Sequence, residues 1–366
     1  MGYKLPRLLS RGFLDSKFTS ASHLMPRKTV SLLRLHPRTK SAYVWRSGYR
    51  VITLALIGTG KWGRNYLHTA KNIKDIEIKY ICSQTQKSLD SLPNSYIKTL
   101  TINDLLKNKD IDGFIIATPI STHFDIAKKL LALNHNLLIE KPLTANYDRA
   151  LQLQRIWKIT KPKVLTGHLY LYNPAYRRVK TLFKKIKSVK SINFEGVCSP
   201  IRKDASVIWD WGPHPVSIIL DLVKSQIIKV KAIGSINQSR NNLYDTVKFK
   251  MLFANNLEAV INISWFGTHK IRKLTIEGTD EKIEFDDTNI SNQKITYYKL
   301  NQPPQYPKYE KGAALTAQLL EFVMAIRGLQ KITSDMNTGV LIVKVLSAIE
   351  KSVLGGGAWI GLDTAS

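Results

Sequence analysis

Leu54-Ala55-Leu56-Ile57-Gly58-Thr59-Gly60-Lys61-Trp62-Gly63 runs an apolar strand into three glycines, and Tyr66, Leu67 and Ala70 follow at helical spacing. In a strand-turn-helix of this kind Gly58 permits the tight turn, Gly60 lets the backbone approach a ligand, and Gly63 lets the helix sit close on the strand. Amides at the helix start then favour an anion such as a pyrophosphate. The junction predicts a dinucleotide site at Gly58, Gly60, Lys61, Trp62 and Gly63. A plain glycine turn is the alternative, and the strand and helix on either side weigh against it.

The alternation continues downstream. Ile76 to Cys82, Tyr96 to Lys98, Gly113 to Ala117 and Asn136 to Ile139 read as strands, and Ile102, Leu105 and Leu106 mark a short helix. Ser121 reads as the N-cap of a helix running to Leu133. Strands alternating with helices predict a parallel sheet that takes ligands at the carboxyl ends of its strands. After a helix from about Asn146 to Trp157 and a strand at Val164 to Thr166, the rhythm changes. Ile192 to Cys198, Ile227 to Ile233, Thr246 to Phe253, Leu257 to Ser264, Leu274 to Glu277 and Ile283 to Phe285 are successive strands, which predicts an antiparallel sheet. Helices at about Ala313 to Ile326 and Thr338 to Ser352 close the pattern. The expected fold class is α/β: a Rossmann dinucleotide-binding domain at 51–170, then an α+β substrate-binding and oligomerisation domain at 171–354 on a mainly antiparallel sheet, and a tail at 355–366.

Residues 1–50 hold 11 basic groups and one acid, Asp15, and are rich in Arg, Ser and Leu. They read as a transit-like leader, or as sequence upstream of a true start near Val51, and stand outside the fold. The formal net charge is +28, but from Val51 onward the 35 lysines and nine arginines scatter over every expected element. Scattered lysine makes a solvated surface, whereas a nucleic-acid footprint clusters on one face, so no nucleic-acid partner is expected. Cys82 and Cys198 stand far apart without metal-ligand spacing, which points to a reduced, metal-free, cytoplasmic protein, or an organellar one if the leader is a transit peptide. No apolar run approaches the roughly 18 residues of a membrane helix.

Two constellations carry chemistry. Glu140-Lys141-Pro142 closes the fifth strand, which puts the Lys141 amine at the sheet edge where a nicotinamide belongs and where it can move a hydroxyl proton. Trp209-Asp210-Trp211-Gly212-Pro213-His214-Pro215 leads into Val216, Ile219 and Leu220 at helical spacing. Pro213 disfavours helix at Gly212 and Pro215 suits a first turn, so the helix is expected to start at His214 with Asp210 in the turn beside it. A carboxylate there can orient the imidazole and stabilise its protonated form. A capped structural histidine is the competing reading.

The glycine turn with Trp62, Ala117-Thr118-Pro119 with His123, Glu140-Lys141-Pro142, and Asp210 four residues before His214 together resemble the Gfo/Idh/MocA family of NAD(P)-dependent oxidoreductases. The motifs span Leu54 to Leu222, and the order of elements continues to about Ser352. The resemblance implies Lys141 and His214 as a catalytic pair with Asp210 as their partner. It implies a cofactor lining of the three glycines, Thr118 and Pro119, with Lys61, Trp62, Glu140 and Lys141 alongside. His123 is grouped with that lining, although a histidine at a helix start commonly caps or packs. Gly167 to Pro174 and Val207 to Asp210 look like a branch of the family that oxidises nucleotide sugars, which nominates Tyr172, Asn173, Arg202 and Trp209 for substrate. Arg177, Arg178, Arg202 and Lys203 could then hold a sugar-linked diphosphate, or be ordinary solvated charges.

One departure concerns the coenzyme. The acid that binds the ribose 2′-hydroxyl in NAD enzymes is replaced by Ser83-Gln84-Thr85 with Lys87 nearby, so Ser83 and Thr85 lean the expectation toward NADP. Pro215 stands where relatives often carry an acid. The expected function is hydride transfer between NAD(P) and a secondary hydroxyl or carbonyl of a sugar, polyol or nucleotide sugar, in a homo-oligomer. The alternative is a regulator of the same fold that binds dinucleotide without turnover.

Overall fold

The computed structural model describes residues 50–197, 205–236, 243–291 and 293–362. Six strands form the first sheet: β1 (Ile52–Ile57), β2 (Ile76–Cys82), β3 (Ile97–Thr99), β4 (Gly113–Ile116), β5 (Leu137–Glu140) and β6 (Val164–Gly167). Their order is β3-β2-β1-β4-β5-β6, with every pair parallel. The order reverses between β1 and β4, the place where an open parallel sheet leaves a crevice for a ligand. All residues of β4, β5 and β6 are buried, as expected when helices cover both faces. Those helices include α1 (Lys61–Lys71), α2 (Gln86–Asp90), α3 (Ile120–Ala132) and α4 (Tyr147–Thr160).

A short 3₁₀ turn at Leu169–Tyr172 leads out of β6 into α5 (Pro174–Phe183), β7 (Val189–Val197), α6 (Val207–Asp210) and α7 (Pro213–Leu222). β8 (Ile227–Ser235), β9 (Thr246–Phe253), β10 (Glu258–Ser264), β11 (Ile271–Gly278), β12 (Glu281–Asp286) and β13 (Ile295–Lys299) complete most of the second sheet. After α8 (Ala314–Ile326) and α9 (Met336–Leu354), the two-residue β14 (Ile360–Gly361) pairs with β8, so the glycine-rich end of the chain supplies an edge strand. The order is β13-β12-β11-β7-β10-β9-β8-β14, antiparallel except for β7 with β10. β9 and β10 alternate buried and more exposed residues, the mark of a sheet with one covered face. Among the described residues no helix is long and apolar enough to cross a membrane.

The C-terminal helices return to the first sheet. Tyr66 Oη on α1 lies 3.4 Å from Gln318 Oε1 on α8, and Arg327, just after α8, donates to the carbonyls of Arg50 and Asp75.

Most element ends shift by a few residues from expectation, and two helix starts bear on the site. α3 starts at Ile120 after Pro119, so Ser121 lies inside the first turn and its side chain caps nothing. Further on, α7 starts at Pro213 rather than His214, with the one-turn α6 before it. Gly212 takes helical angles (φ −52°, ψ −35°) despite the proline that follows. Without a Cβ it escapes much of the clash that excludes other residues there.

Gly58 sits at φ +98°, and a Cβ on it would stand 2.6 Å from the Ala117 carbonyl oxygen, so the turn between β1 and α1 needs glycine twice over. A Cβ on Gly63 would lie 2.0 Å from the Gly58 carbonyl oxygen, whereas one on Gly60 would meet nothing within 4 Å. Gly63→Ala should therefore destabilise the fold by about 1–3 kcal/mol in urea unfolding, although alanine is the better helix former. Gly60→Ala should leave the unfolding midpoint close to wild type. Equal midpoints for the two variants would show that the close approach at Gly63 costs nothing to relieve.

Candidate functional site

The space at the β1–α1 junction is built for an anion. α1 has no side-chain cap at Gly60 and no acid in its first turn, so its leading amides are left for a ligand, and the open space at Gly60 gives one access. This cradle fits the pyrophosphate of a dinucleotide. Lys61 is exposed and Trp62 half-buried at its rim. Thr59, in the turn, shares a hydrogen bond of 3.0 Å with Ser83 at the end of β2. Thr85 is spent on capping α2, where it accepts from the Ser88 amide.

The loop after β4 faces the loop after β5. Thr118 Oγ1 accepts from Thr122, Pro119 precedes α3, and His123 ties the two loops together. Its Nδ1 lies 2.9 Å from the Pro142 carbonyl oxygen and its Nε2 3.0 Å from that of Thr118. Burial is the main cause that holds the His123 pKa below its ordinary value. A neutral imidazole has one N–H, so it can donate to only one of these two carbonyls.

β5 ends in a buried acid. Glu140 accepts from Tyr66 Oη at 2.7 Å and from the Lys141 amide at 3.2 Å, and burial raises its pKa. The Lys141–Pro142 peptide is cis. Lys141 Nζ donates to the Asp210 carbonyl at 2.5 Å and pairs with Asp210 Oδ1 at 3.3 Å, while Trp265 Nε1 approaches Asp210 Oδ2 at 3.4 Å. A side chain from the edge of the first sheet is thus tied to α6, in the chain of the second.

This corrects the expectation for Asp210. Its carboxylate engages Lys141 and Trp265 rather than His214, whose Nδ1 is buried without a hydrogen-bond partner among the described residues. The imidazole is held by rings instead: Trp211 at 4.8 Å and Tyr170 at 5.1 Å between centroids, both edge-on. Burial, then the positive charges of Lys141 and Arg272, push its pKa well below the ordinary histidine value. His214 is therefore neutral at neutral pH, not a stabilised cation.

His168, at the end of β6, is fully enclosed. Its Nδ1 meets Ser334 Oγ at 2.7 Å, its Nε2 has no partner, and burial together with Lys141 lowers its pKa to about 3. Thr166 Oγ1, Trp211 Nε1 and Arg272 Nε are likewise buried and unpartnered. Buried polar atoms normally find partners, so those of His168, His214 and Arg272, which act on one another electrostatically, mark the place where a polar ligand completes the hydrogen bonding. An open concavity of about 470 Å³ lies by Lys161 and Lys163 at the opposite end of β6 and has no such group among its lining residues.

The substrate nominations fare unevenly. Tyr172 is fully buried with its hydroxyl spent on Glu321 at 2.8 Å. Trp209 donates to Glu350 at 2.8 Å and faces a separate hollow with Ile120 and Ser206. These two contacts move Tyr172 and Trp209 out of the cluster. Asn173 caps α5 and donates to Asp287 at 2.9 Å. Arg177 donates to the Leu171 carbonyl and lies over the Tyr172 ring. Cys198, Arg202 and Lys203 lie outside the described residues. The residues that do gather at His214 are His168, Tyr170, Trp211 and Arg272. The first two follow a strand end, a usable signal, since the 3₁₀ turn sends Tyr170 toward His214 and Tyr172 inward. Arg272 has no local signal, because it is the second residue of a strand in the middle of the second sheet.

Residues 52–168 match the family model "Oxidoreductase family, NAD-binding Rossmann fold", and residues 199–284 match "GFO/IDH/MocA C-terminal domain". The chain belongs to the Gfo/Idh/MocA family. An uncharacterised oxidoreductase of this kind, YrbE of Bacillus subtilis (strain 168), is 21% identical over 325 residues, 83% of this chain and 95% of the relative. Inositol 2-dehydrogenase of Rhizobium meliloti (strain 1021) is 19% identical over 324 residues, 82% of this chain and 97% of the relative. The solved UDP-N-acetylglucosamine 3-dehydrogenase GnnA of Acidithiobacillus ferrooxidans superposes with a TM-score of 0.75 at 20% identity, over 84% of this chain and 99% of that one. At that identity the likeness is one of fold. The Gfo/Idh/MocA match makes this an NAD-binding Rossmann protein of an oxidoreductase family.

Because His168 is held neutral in the fold, the unfolded chain takes up a proton that the folded one refuses as pH drops below 6.5 toward about 3. Its contribution to stability is complete above that window and lost progressively within it. The thermal midpoint should fall between about pH 7 and about pH 5, and fall less in His168→Gln, measured by circular dichroism. Identical pH profiles for the two proteins would remove His168 from this account.

Proposed function

We propose that this protein is an NAD(P)-dependent dehydrogenase that interconverts a secondary hydroxyl and a carbonyl on a sugar, polyol or nucleotide sugar. The observation that carries the reading is that Asp210 fixes the Lys141 amine near enough to the buried His214 for its charge to help hold that ring neutral. Its relatives that act on inositol and on a nucleotide sugar support the substrate class. The coenzyme, held by Gly58, Gly60, Gly63, Thr118 and Pro119, supplies the acceptor or donor of hydride.

The chain's own groups handle the proton. Two of the three N–H bonds of Lys141 go to Asp210, which fixes the amine and leaves one donor for the substrate oxygen. Asp210 thus acts as a positioning residue for Lys141. The neutral His214 ring can accept the hydroxyl proton during oxidation and return it during reduction. Tyr170 and Trp211 fix the plane of that ring and keep water from much of it.

Lys141→Met should lower kcat by about 10²–10⁴-fold while NADH affinity, followed by nicotinamide fluorescence, stays within a few fold. Turnover at the wild-type rate would remove Lys141 from the mechanism. Since the His214 pKa lies below 6.5, the base stays free as pH drops to that value. In wild type, kcat/KM for oxidation should hold level from about pH 8 to about pH 6.5 and decline only below. A decline already complete at neutral pH would assign the base to another group.

The end of β2 bears on the choice of coenzyme. Ser83, Gln84 and Thr85 bring no carboxylate, exposed Lys87 is near, and Arg64 of α1 reaches Ser91 in the same region at 2.9 Å. NADP should bind at least as tightly as NAD in a fluorescence titration, and a clear preference for NAD would overturn this.

A further inference from the structure

Arg272 is the second residue of β11, directly opposite Gly196 of β7. Gly196 has no side chain, and the indole nitrogen of Trp211 lies 2.5 Å from where its Cβ would stand, so Trp211 rests against β7 beside the arginine. The guanidinium carbon lies 5.3 Å from the centre of the Trp211 ring and 5.8 Å from that of Tyr170. These are the two rings that also hold His214. The guanidinium is thus braced by cation–π contacts one ring away from the proton-handling imidazole.

Its charge is poorly matched. Nη1 reaches Asp287 Oδ2 at 3.6 Å, beyond hydrogen-bond length. Asp287 already takes Lys294 Nζ and Asn173 Nδ2, each at 2.9 Å. Lys141 pairs with Asp210, and the acid that Arg272 reaches, Asp287, is shared with the closer Lys294, so among the described residues the guanidinium is only weakly matched. Its Nε is buried and finds no acceptor among the described residues, and only 25% of the side chain is exposed. Leaving a charged donor unmatched in such a place is costly unless a ligand meets it.

We propose that the cleft takes a sugar or polyol bearing a carboxylate, and that Arg272 is the residue that selects it. The proposal rests on the dehydrogenase reading and names the substrate class within it. The Nε edge of a guanidinium presents two parallel N–H bonds, which match the two oxygens of a carboxylate in spacing and charge. A neutral hydroxymethyl group satisfies one donor and leaves the charge. The acid group would sit on the side of the site where Trp211 and Tyr170 hold both Arg272 and His214, so the class is a uronic or comparable sugar acid oxidised at a ring hydroxyl.

The test uses the full-length protein saturated with NADH or NADPH, titrated calorimetrically with matched probes. These are D-glucose against D-glucuronate, D-galactose against D-galacturonate, and glucose 6-phosphate. At least one acid should bind about 10-fold tighter than its neutral partner, the size expected of a charge-assisted pair. Arg272→Gln should bring that ratio to below about threefold while coenzyme affinity stays within about twofold, because Arg272 lies outside the glycine cradle. Arg272→Lys keeps the charge but not the two-donor edge, and should also cut the ratio at least about threefold, which covers failure of the glutamine variant to fold. No acid preference in wild type, a preference that survives both substitutions, or tightest binding by the sugar phosphate overturns the proposal. Coenzyme binding with turnover of neutral sugars alone would sink only this assignment, whereas no coenzyme binding at all would sink the dehydrogenase reading.

Discussion

The contact of Lys141 with Asp210 organises this molecule. The amine comes from the carboxyl end of β5 and the acid from α6, yet they meet through both the Asp210 carbonyl and its carboxylate. A lysine at a sheet edge is ordinarily a flexible, hydrated point charge. Here only 10% of its side chain is exposed, and two of its donors are committed. Its position is therefore set by both halves of the structure, and its charge reaches His123, His168 and His214, whose pKa values it depresses.

Those depressed values explain how a chain so rich in basic groups keeps neutral imidazoles at its centre. Burial is the first cause for each of the three histidines, and the nearby lysine adds to it. The folded state refuses protons that these rings would accept in water, at some expense of stability in acid. What is gained is a ring able to accept a proton at neutral pH beside an amine able to donate a hydrogen bond. The aromatic rings of Tyr170 and Trp211 serve the same end, since they hold His214 without a charge that would restore its basicity.

The strands of the first sheet were readable to within one or two residues at their ends. Runs such as Leu54 to Ile57 are apolar because both faces are covered, and glycines at 58 and 63 stand where the chain has no room for a Cβ. The second sheet was readable as alternation, but its one parallel pair, β7 with β10, was not, because pairing across distant strands leaves no local mark. The strand at Ile360–Gly361 was missed for a similar reason: two residues carry no period.

At the site, strand ends pointed to Lys141, and the helix start pointed to His214. Local spacing alone determined the glycine cradle and the two-sheet plan and nominated these two residues, since each rests on periodicity, backbone sterics or position at the end of an element. Tertiary structure alone decided that Asp210 holds the lysine rather than the imidazole, that Tyr170 and not Tyr172 faces His214, and that Arg272 joins them. The physical reason is that such meetings depend on how two sheets pack, and contact energies between residues far apart in the chain leave no trace in the residues on either side.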